Sequence, residues 1–202
     1  AEGRAFIAVA LEEFRQIDGT LTPGEWAEEA SAAMAIEQGI QGEKLTPASS
    51  ARILWDDGAL YVAVDNAVNP KFPLRPGNQW GQDDAVELAW RNPAGGAQAP
   101  ILILRGYPSG HWESSGEAGA PEAAVSRAAE GVQFRAAVVD SKRWVAEWRI
   151  PFAAVGIDPA AAPRLQFNLS VRKTADEQWM MWQGTGACTW EVGQAGLIEW
   201  VR

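Results

Sequence analysis

Between residues 144 and 172 the chain twice alternates with a strict period of two. Trp144, Ala146, Trp148 and Ile150 interleave with Val145, Glu147 and Arg149, and Leu165, Phe167, Leu169 and Val171 interleave with Gln166, Asn168, Ser170 and Arg172. Successive side chains of a strand point to opposite faces, so each run reads as a strand with one buried side. Further short strand-like runs stand at residues 4–11, 52–55, 60–65, 85–91, 101–105, 132–139, 178–183 and 196–201. Asp56-Asp57-Gly58 between two of them is a hairpin signal, and Asp140-Ser141-Lys142 joins another pair. Pro151 ends the run at 144–150 and leaves room for at most one helical turn over residues 152–155. Thr22-Pro23-Gly24-Glu25 has the form of a capping box with proline at the first helical position, which predicts a short helix over residues 23–30. Residues 39–50, 66–83 and 114–124 read as loops. The segment at 66–83 is long enough that a functional role is expected of it.

About ten or eleven short strands separated by turn signals predict an all-β chain. The expected architecture is an antiparallel β-sandwich, jelly-roll-like, with one short N-terminal helix. The 202 residues suit a single domain over 1–202, with its core over about 18–201. The net charge of −9 argues against a nucleic-acid backbone or an anionic membrane surface as partner. No apolar run approaches a membrane span, and the first residues carry no basic-then-apolar signal pattern. A single cysteine, Cys188, rules out an intrachain disulfide; it fits a cytoplasmic protein or an exported one without bridges.

Eleven tryptophans are the compositional oddity. Most, at least seven, are expected in the core, because indoles are highly buried on average. Trp80, in Asn78-Gln79-Trp80-Gly81-Gln82, and Trp112, between His111 and Glu113, sit in polar surroundings. A flat indole with a polar rim is a surface on which the C–H face of a sugar ring stacks, while carboxylate, amide or guanidinium groups meet its hydroxyls. Glu87, a charged acceptor in mid-strand, suits such a pocket. Glu147 is expected to be structural. A glycosidase needs two carboxylates at a set separation, and nothing in the spacing of Glu87 and Glu147 imposes one. His111 and Cys188 are too few for a zinc site, and there is no Gly-x-Ser-x-Gly elbow. Asp18, Asp56, Asp57, Asp83 and Asp84 offer oxygen ligands of the kind calcium takes, without an EF-hand pattern.

Several segments in order carry a resemblance. These are Asp18-Gly19 with Trp26, then Leu54-Trp55-Asp56-Asp57-Gly58-Ala59-Leu60-Tyr61-Val62-Ala63-Val64, and Asp83-Asp84-Ala85-Val86-Glu87-Leu88. Ala146-Glu147-Trp148-Arg149-Ile150-Pro151-Phe152 and Phe167-Asn168-Leu169-Ser170-Val171-Arg172 follow. Together they resemble carbohydrate-binding module family 9, within the DOMON-like sandwiches, over roughly residues 18–201. The resemblance implies a non-catalytic jelly-roll sandwich, often part of a larger exported glycan-processing protein, extracellular or periplasmic. It implies a mono- or oligosaccharide partner held by its end between two tryptophans, with structural calcium elsewhere. By position it makes Trp80 the first clamp, with one extra intervening residue. Trp182, or in second place Trp179, becomes the other clamp. Glu87 becomes a sugar-contacting carboxylate, with Arg105, Asn168 and Arg172 as looser polar contacts. It also brings two alternatives: a structural or docking sandwich, and a haem carrier drawing ligands from Met34, Met180, Met181 and His111.

Overall fold

The computed structural model describes residues 4–10, 16–26, 33–92 and 95–201. Twelve strands lie among them: β1 (Ala5–Ala10), β2 (Met34–Gln38), β3 (Lys44–Trp55), β4 (Ala59–Ala67), β5 (Ala85–Arg91), β6 (Ile101–Gly106), β7 (Trp112–Ser115), β8 (Gln133–Asp140), β9 (Arg143–Pro151), β10 (Arg164–Lys173), β11 (Gln178–Met181) and β12 (Gly196–Val201). Two helices accompany them, α1 (Glu122–Gly131) and the single turn α2 (Phe152–Val155).

The strands make two layers, β7-β6-β5-β10-β11 and β2-β3-β4-β9-β8, joined where Met181 of β11 meets Gln38 of β2. A second join completes the sandwich. β12 pairs antiparallel with the first half of β10, while β1 runs parallel to β12 and to the end of β3. β10 is long enough to hold β5 along one edge and both β12 and β11 along the other. The alternating residues behave as their period requires. Trp144, Ala146, Trp148 and Ile150 from β9 and Leu165, Phe167, Leu169 and Val171 from β10 meet in one core. Trp148 closes it, with its ring 4.3 Å from Phe134 and 5.9 Å from Trp112 of the opposite layer. Gly106 on β6 admits these rings, since a methyl group there would overlap both Phe134 and Trp148.

The outer face of β4 and β9 is covered too. Trp26 packs there with Leu54, Ala59, Tyr61 and Ala63. Glu147 fastens the covering segment. Its Oε2 accepts from the Asp18 and Gly19 amides at 3.0 and 2.5 Å, and its Oε1 accepts from the Trp26 indole at 3.0 Å. Burial raises the Glu147 pKa, and these three donors oppose the rise. The buried glutamate is thus a structural staple.

Four local expectations change. Residues 39–50 are not one loop: β3 begins at Lys44, and β2 precedes it. The first half of β3 alternates exposed and half-buried positions, so its composition is as polar as a loop's. Residues 114–124 contain the end of β7 and the start of α1, a ten-residue helix that follows Pro121 and buries little beyond Ala128. Strands number twelve among the described residues, rather than ten or eleven. Of the helix expected over 23–30, residues 23–26 form a turn and 27–30 lie outside the described residues. The Glu25 side chain does reach back to the Thr22 amide at 3.3 Å, as a capping box requires.

Candidate ligand-binding site

Nine of the eleven tryptophans are accounted for by packing. Six are buried, at positions 26, 55, 90, 144, 148 and 182, and three more, Trp112, Trp190 and Trp200, lean on the cores. The two left over are Trp80 and Trp179, and they touch each other. Their centroids lie 6.0 Å apart with planes at 77°.

Trp80 is carried by a tight turn. The Gln82 and Asp83 amides donate to the Gln79 carbonyl at 3.1 and 3.0 Å, and Asp83 Oδ2 accepts from the Gln79 amide at 2.9 Å. Gly81 takes φ +83° in that turn, a conformation that side chains rarely adopt. Trp179 comes from β11, opposite Arg172 of β10. That places it on the outer side of the first layer, among the polar residues that alternate with the core set of β10.

The same side gathers a chain of charged and hydroxyl groups across neighbouring strands, because Glu113, Arg105, Glu87 and Ser170 are in successive register. Glu87 is fully buried and receives Arg105 Nε at 2.6 Å. Arg105 also donates to Glu117 at 2.6 Å and stands 3.9 Å from Glu113. Burial raises the Glu87 pKa, with Arg105 the main opposing influence. For Arg105, burial alone would lower the pKa, but Glu87 and Glu117 carry it above its ordinary value. Burial and then Glu113 also raise Tyr107, whose protonated hydroxyl donates to Glu113 at 3.0 Å. The Trp179 indole donates to Ser170 Oγ at 2.9 Å, and Ser170 shares a 2.6 Å bond with Thr189.

Both arginines stack on the indoles. The guanidinium carbon of Arg105 lies 4.3 Å from the Trp80 centroid, and that of Arg172 lies 4.0 Å from Trp179 and 5.0 Å from Trp80. Two buried atoms in this cluster lack a well-aligned hydrogen-bond partner: Glu87 Oε1 and Arg172 Nε. Thr189 approaches Glu87 closely enough to favour its charged form: Ser170, which accepts from Trp179, can donate to Thr189 and leave the Thr189 hydroxyl to donate to Glu87. An open groove of about 600 Å³ begins at Arg172 and runs between Phe72 and Arg75 on one side and residues 174–178 on the other.

Of the six ligand positions expected from the sequence, four come together: Trp80, Glu87, Arg105 and Arg172. Trp182 does not. It is 4% exposed, packs on Phe6 and Phe167 at 6.3 Å each, and fills the space that a side chain on Gly196 would need. Its parity is that of Met180, a core residue, whereas Trp179 shares the outer side with Arg172. Strand parity was therefore the signal that separates the two. Asn168 lies on the correct side but is buried and committed: its amide donates to the Gln183 carbonyl, and its Oδ1 accepts from Leu169 and Gln183. Glu113, Glu117 and Thr189 were missed, because only cross-strand register brings them to Arg105 and Glu87.

The five aspartates are scattered. Asp18 Oδ1 takes the Thr20 amide, and Asp56 takes Gly58, Ala59 and the Tyr61 hydroxyl. Asp83 holds the Trp80 turn, and Asp84 takes the Thr174 amide at 2.8 Å. Asp57 is exposed in its hairpin. Among the described residues no three acidic, histidine or cysteine side chains converge as a metal site. The haem alternative finds no ligand pair either. His111 is exposed against Tyr107, while Met34, Met180 and Met181 are buried.

No protein-family profile and no curated protein matches the sequence. Solved structures do. A family 9 carbohydrate-binding module from Caldicellulosiruptor kristjanssonii in complex with cellotriose is 16% identical, with a TM-score of 0.72, covering 98% of this chain and 93% of that one. The same kind of module from that organism in complex with glucose gives 16% identity, a TM-score of 0.66 and coverages of 98% and 96%. A candidate carbohydrate-binding protein from Bacteroides uniformis is 13% identical with a TM-score of 0.67, covering 99% and 100%. The chain has the fold of a family 9 carbohydrate-binding module.

Proposed function

We propose that this chain is a non-catalytic carbohydrate-binding domain, a module of a larger exported glycan-processing protein, and that it takes the end of a glycan at Trp80 and Trp179. One observation carries the proposal. The two tryptophans that belong to neither core stand together over a buried glutamate and two arginines, with one acceptor and one donor short of a well-aligned partner. A pyranose offers both complements: apolar faces for the indoles and hydroxyls for Glu87 and Arg172. The solved structures of the same fold are complexes with cellotriose and glucose, which supports a saccharide as the ligand class. In the state described here the indoles meet edge to face, so a ring enters between them only when one indole turns.

That closed pair also favours a second reading, a structural or docking domain that binds no sugar. Titrating tryptophan fluorescence with xylose, glucose, cellobiose and cellobiitol, with and without calcium, separates the two. A saturable change with cellobiose but not with its alditol supports binding at a reducing end, and a dependence on calcium brings an ion into the proposal. A flat response to all four favours the docking domain. The exported setting is tested by locating the parent protein in fractionated cells.

A further inference from the structure

The groove beside the tryptophan pair is built with unused polar atoms. Two of its lining residues, Arg172 and Gln178, each bury one side-chain atom without a well-aligned partner, Nε and Oε1 respectively, while the Thr174 hydroxyl leans on the Asp84 carboxylate. A buried polar atom left unpaired is costly, so two along one groove mark a surface that a polar ligand would complete. Across from them stand Phe72, a 39% exposed aromatic, and Arg75. The Phe72 segment is held in place: its amide donates to the Asn69 carbonyl at 2.9 Å, and Asn69 reaches Asp176 at 3.4 Å.

Arg172 decides the chemistry. Arg105, its neighbour over Trp80, is neutralised by Glu87 and Glu117, whereas Arg172 makes no direct ion pair or hydrogen bond among the described residues; it rests on the two indole faces, with the Glu87 charge acting on it from a distance. Its Nε and terminal nitrogens form a fork that matches a carboxylate edge to edge, and the charge-assisted bond is stronger than one to a hydroxyl. Asp176 and Glu177 also line the groove; Asp176 accepts from the neutral Asn69 amide and keeps its charge, and Glu177 is exposed, where water screens it.

We infer that this groove is a subsite for an acidic sugar, a uronic acid whose carboxylate pairs with Arg172 while Arg75 adds charge and Phe72 supports the ring. The inference rests on the carbohydrate reading above and sharpens it to a ligand class. Gln178 would then meet a hydroxyl of the same residue. Desolvation, which lowers the pKa of Arg172, is the penalty that an anion relieves.

Calorimetric titration of the full chain tests this with glucuronic and galacturonic acid against glucose and galactose, at one ionic strength near neutral pH. The expected result is a uronate affinity at least about ten-fold above that of the matching neutral hexose. Arg172→Met should reduce that preference to within about two-fold, and Arg75→Met should reduce it in part, with both variants checked for an unchanged melting temperature. Arg172→Lys, which keeps the charge but loses the fork, should retain less than half of the preference. Neutral hexoses binding as well as or better than uronates would overturn the acidic-sugar inference and leave the carbohydrate reading standing. No binding by any of the four would overturn both.

Discussion

The indole of Trp80 meets the indole of Trp179 edge to face, 6.0 Å between centroids, and the guanidinium of Arg172 lies within 5.0 Å of both. An arginine thus occupies the place beside the two rings where a flat ligand would stack. This pair lies outside the hydrophobic cores, which sets its energetic role apart from that of the other nine tryptophans.

Trp179→Ala should abolish any sugar response while costing clearly less stability than Trp182→Ala, because its ring is only partly buried and lies outside both cores. Trp182→Ala should cost about 3–5 kcal/mol, because a buried indole leaves a cavity between Phe6 and Phe167. Chemical denaturation of the two variants, with sugar titration of each, makes the comparison. The reverse pattern would return the clamp to Trp182.

Removing Arg105 strands Glu87 in a site with no solvent exposure. Arg105→Met is therefore expected to lose about 3–5 kcal/mol, and the double change with Glu87→Gln should recover much of it, since an unpaired buried charge costs more than a missing pair. Urea unfolding of the two single variants and the double variant measures the coupling. Strict additivity would show that the pair is screened.

Lys173 is 3% exposed, its Nζ donates to the Pro47 carbonyl, and burial lowers its pKa from 10.5 to about 8. Below pH 8 both the folded and unfolded chains carry the proton, and the folded state bears the burial penalty in full. Between 8 and 10.5 the unfolded chain holds a proton that the folded chain has lost, so this lysine makes stability rise with pH across that window. Lys173→Met should accordingly be more stable than the parent near neutral pH, by up to about 3 kcal/mol, with the difference closing as pH approaches 10.5. A difference that does not change with pH would mean the amine keeps its proton in the fold.

Glu147→Ala orphans three donors at once, two of them buried, and should cost about 2–4 kcal/mol. Hydrogen exchange reads it locally: the Asp18 and Gly19 amides should lose protection far more than those of β10. Equal loss everywhere would show that the segment and the sandwich unfold as one unit.

The strands most visible in the sequence are those with one dry face and one wet face. β9 and β10 declare their period because alternate residues meet different solvents, and Asp56-Asp57-Gly58 marks its hairpin by turn chemistry. The first half of β3 was hidden because both its faces are partly wet. α1 was hidden because its buried face is little more than alanine and valine. At the candidate site the same limit applies. Trp80, Glu87, Arg105 and Arg172 were legible as residue types in a familiar order of motifs.

What the sequence determined by itself was the all-β class, most of the strand positions, and the short set of residues capable of holding a sugar. Only the tertiary structure decided which tryptophan stands opposite Trp80, that Asn168 is spent on the backbone, and that Glu113 and Glu117 converge on Arg105. The reason is physical. Periodicity follows from local geometry, two residues at a time, whereas the meeting of β5, β6, β7, β10 and β11 depends on cross-strand register. That register is set by how the whole core packs, so a shift of one residue would send Trp179 inward and Trp182 out.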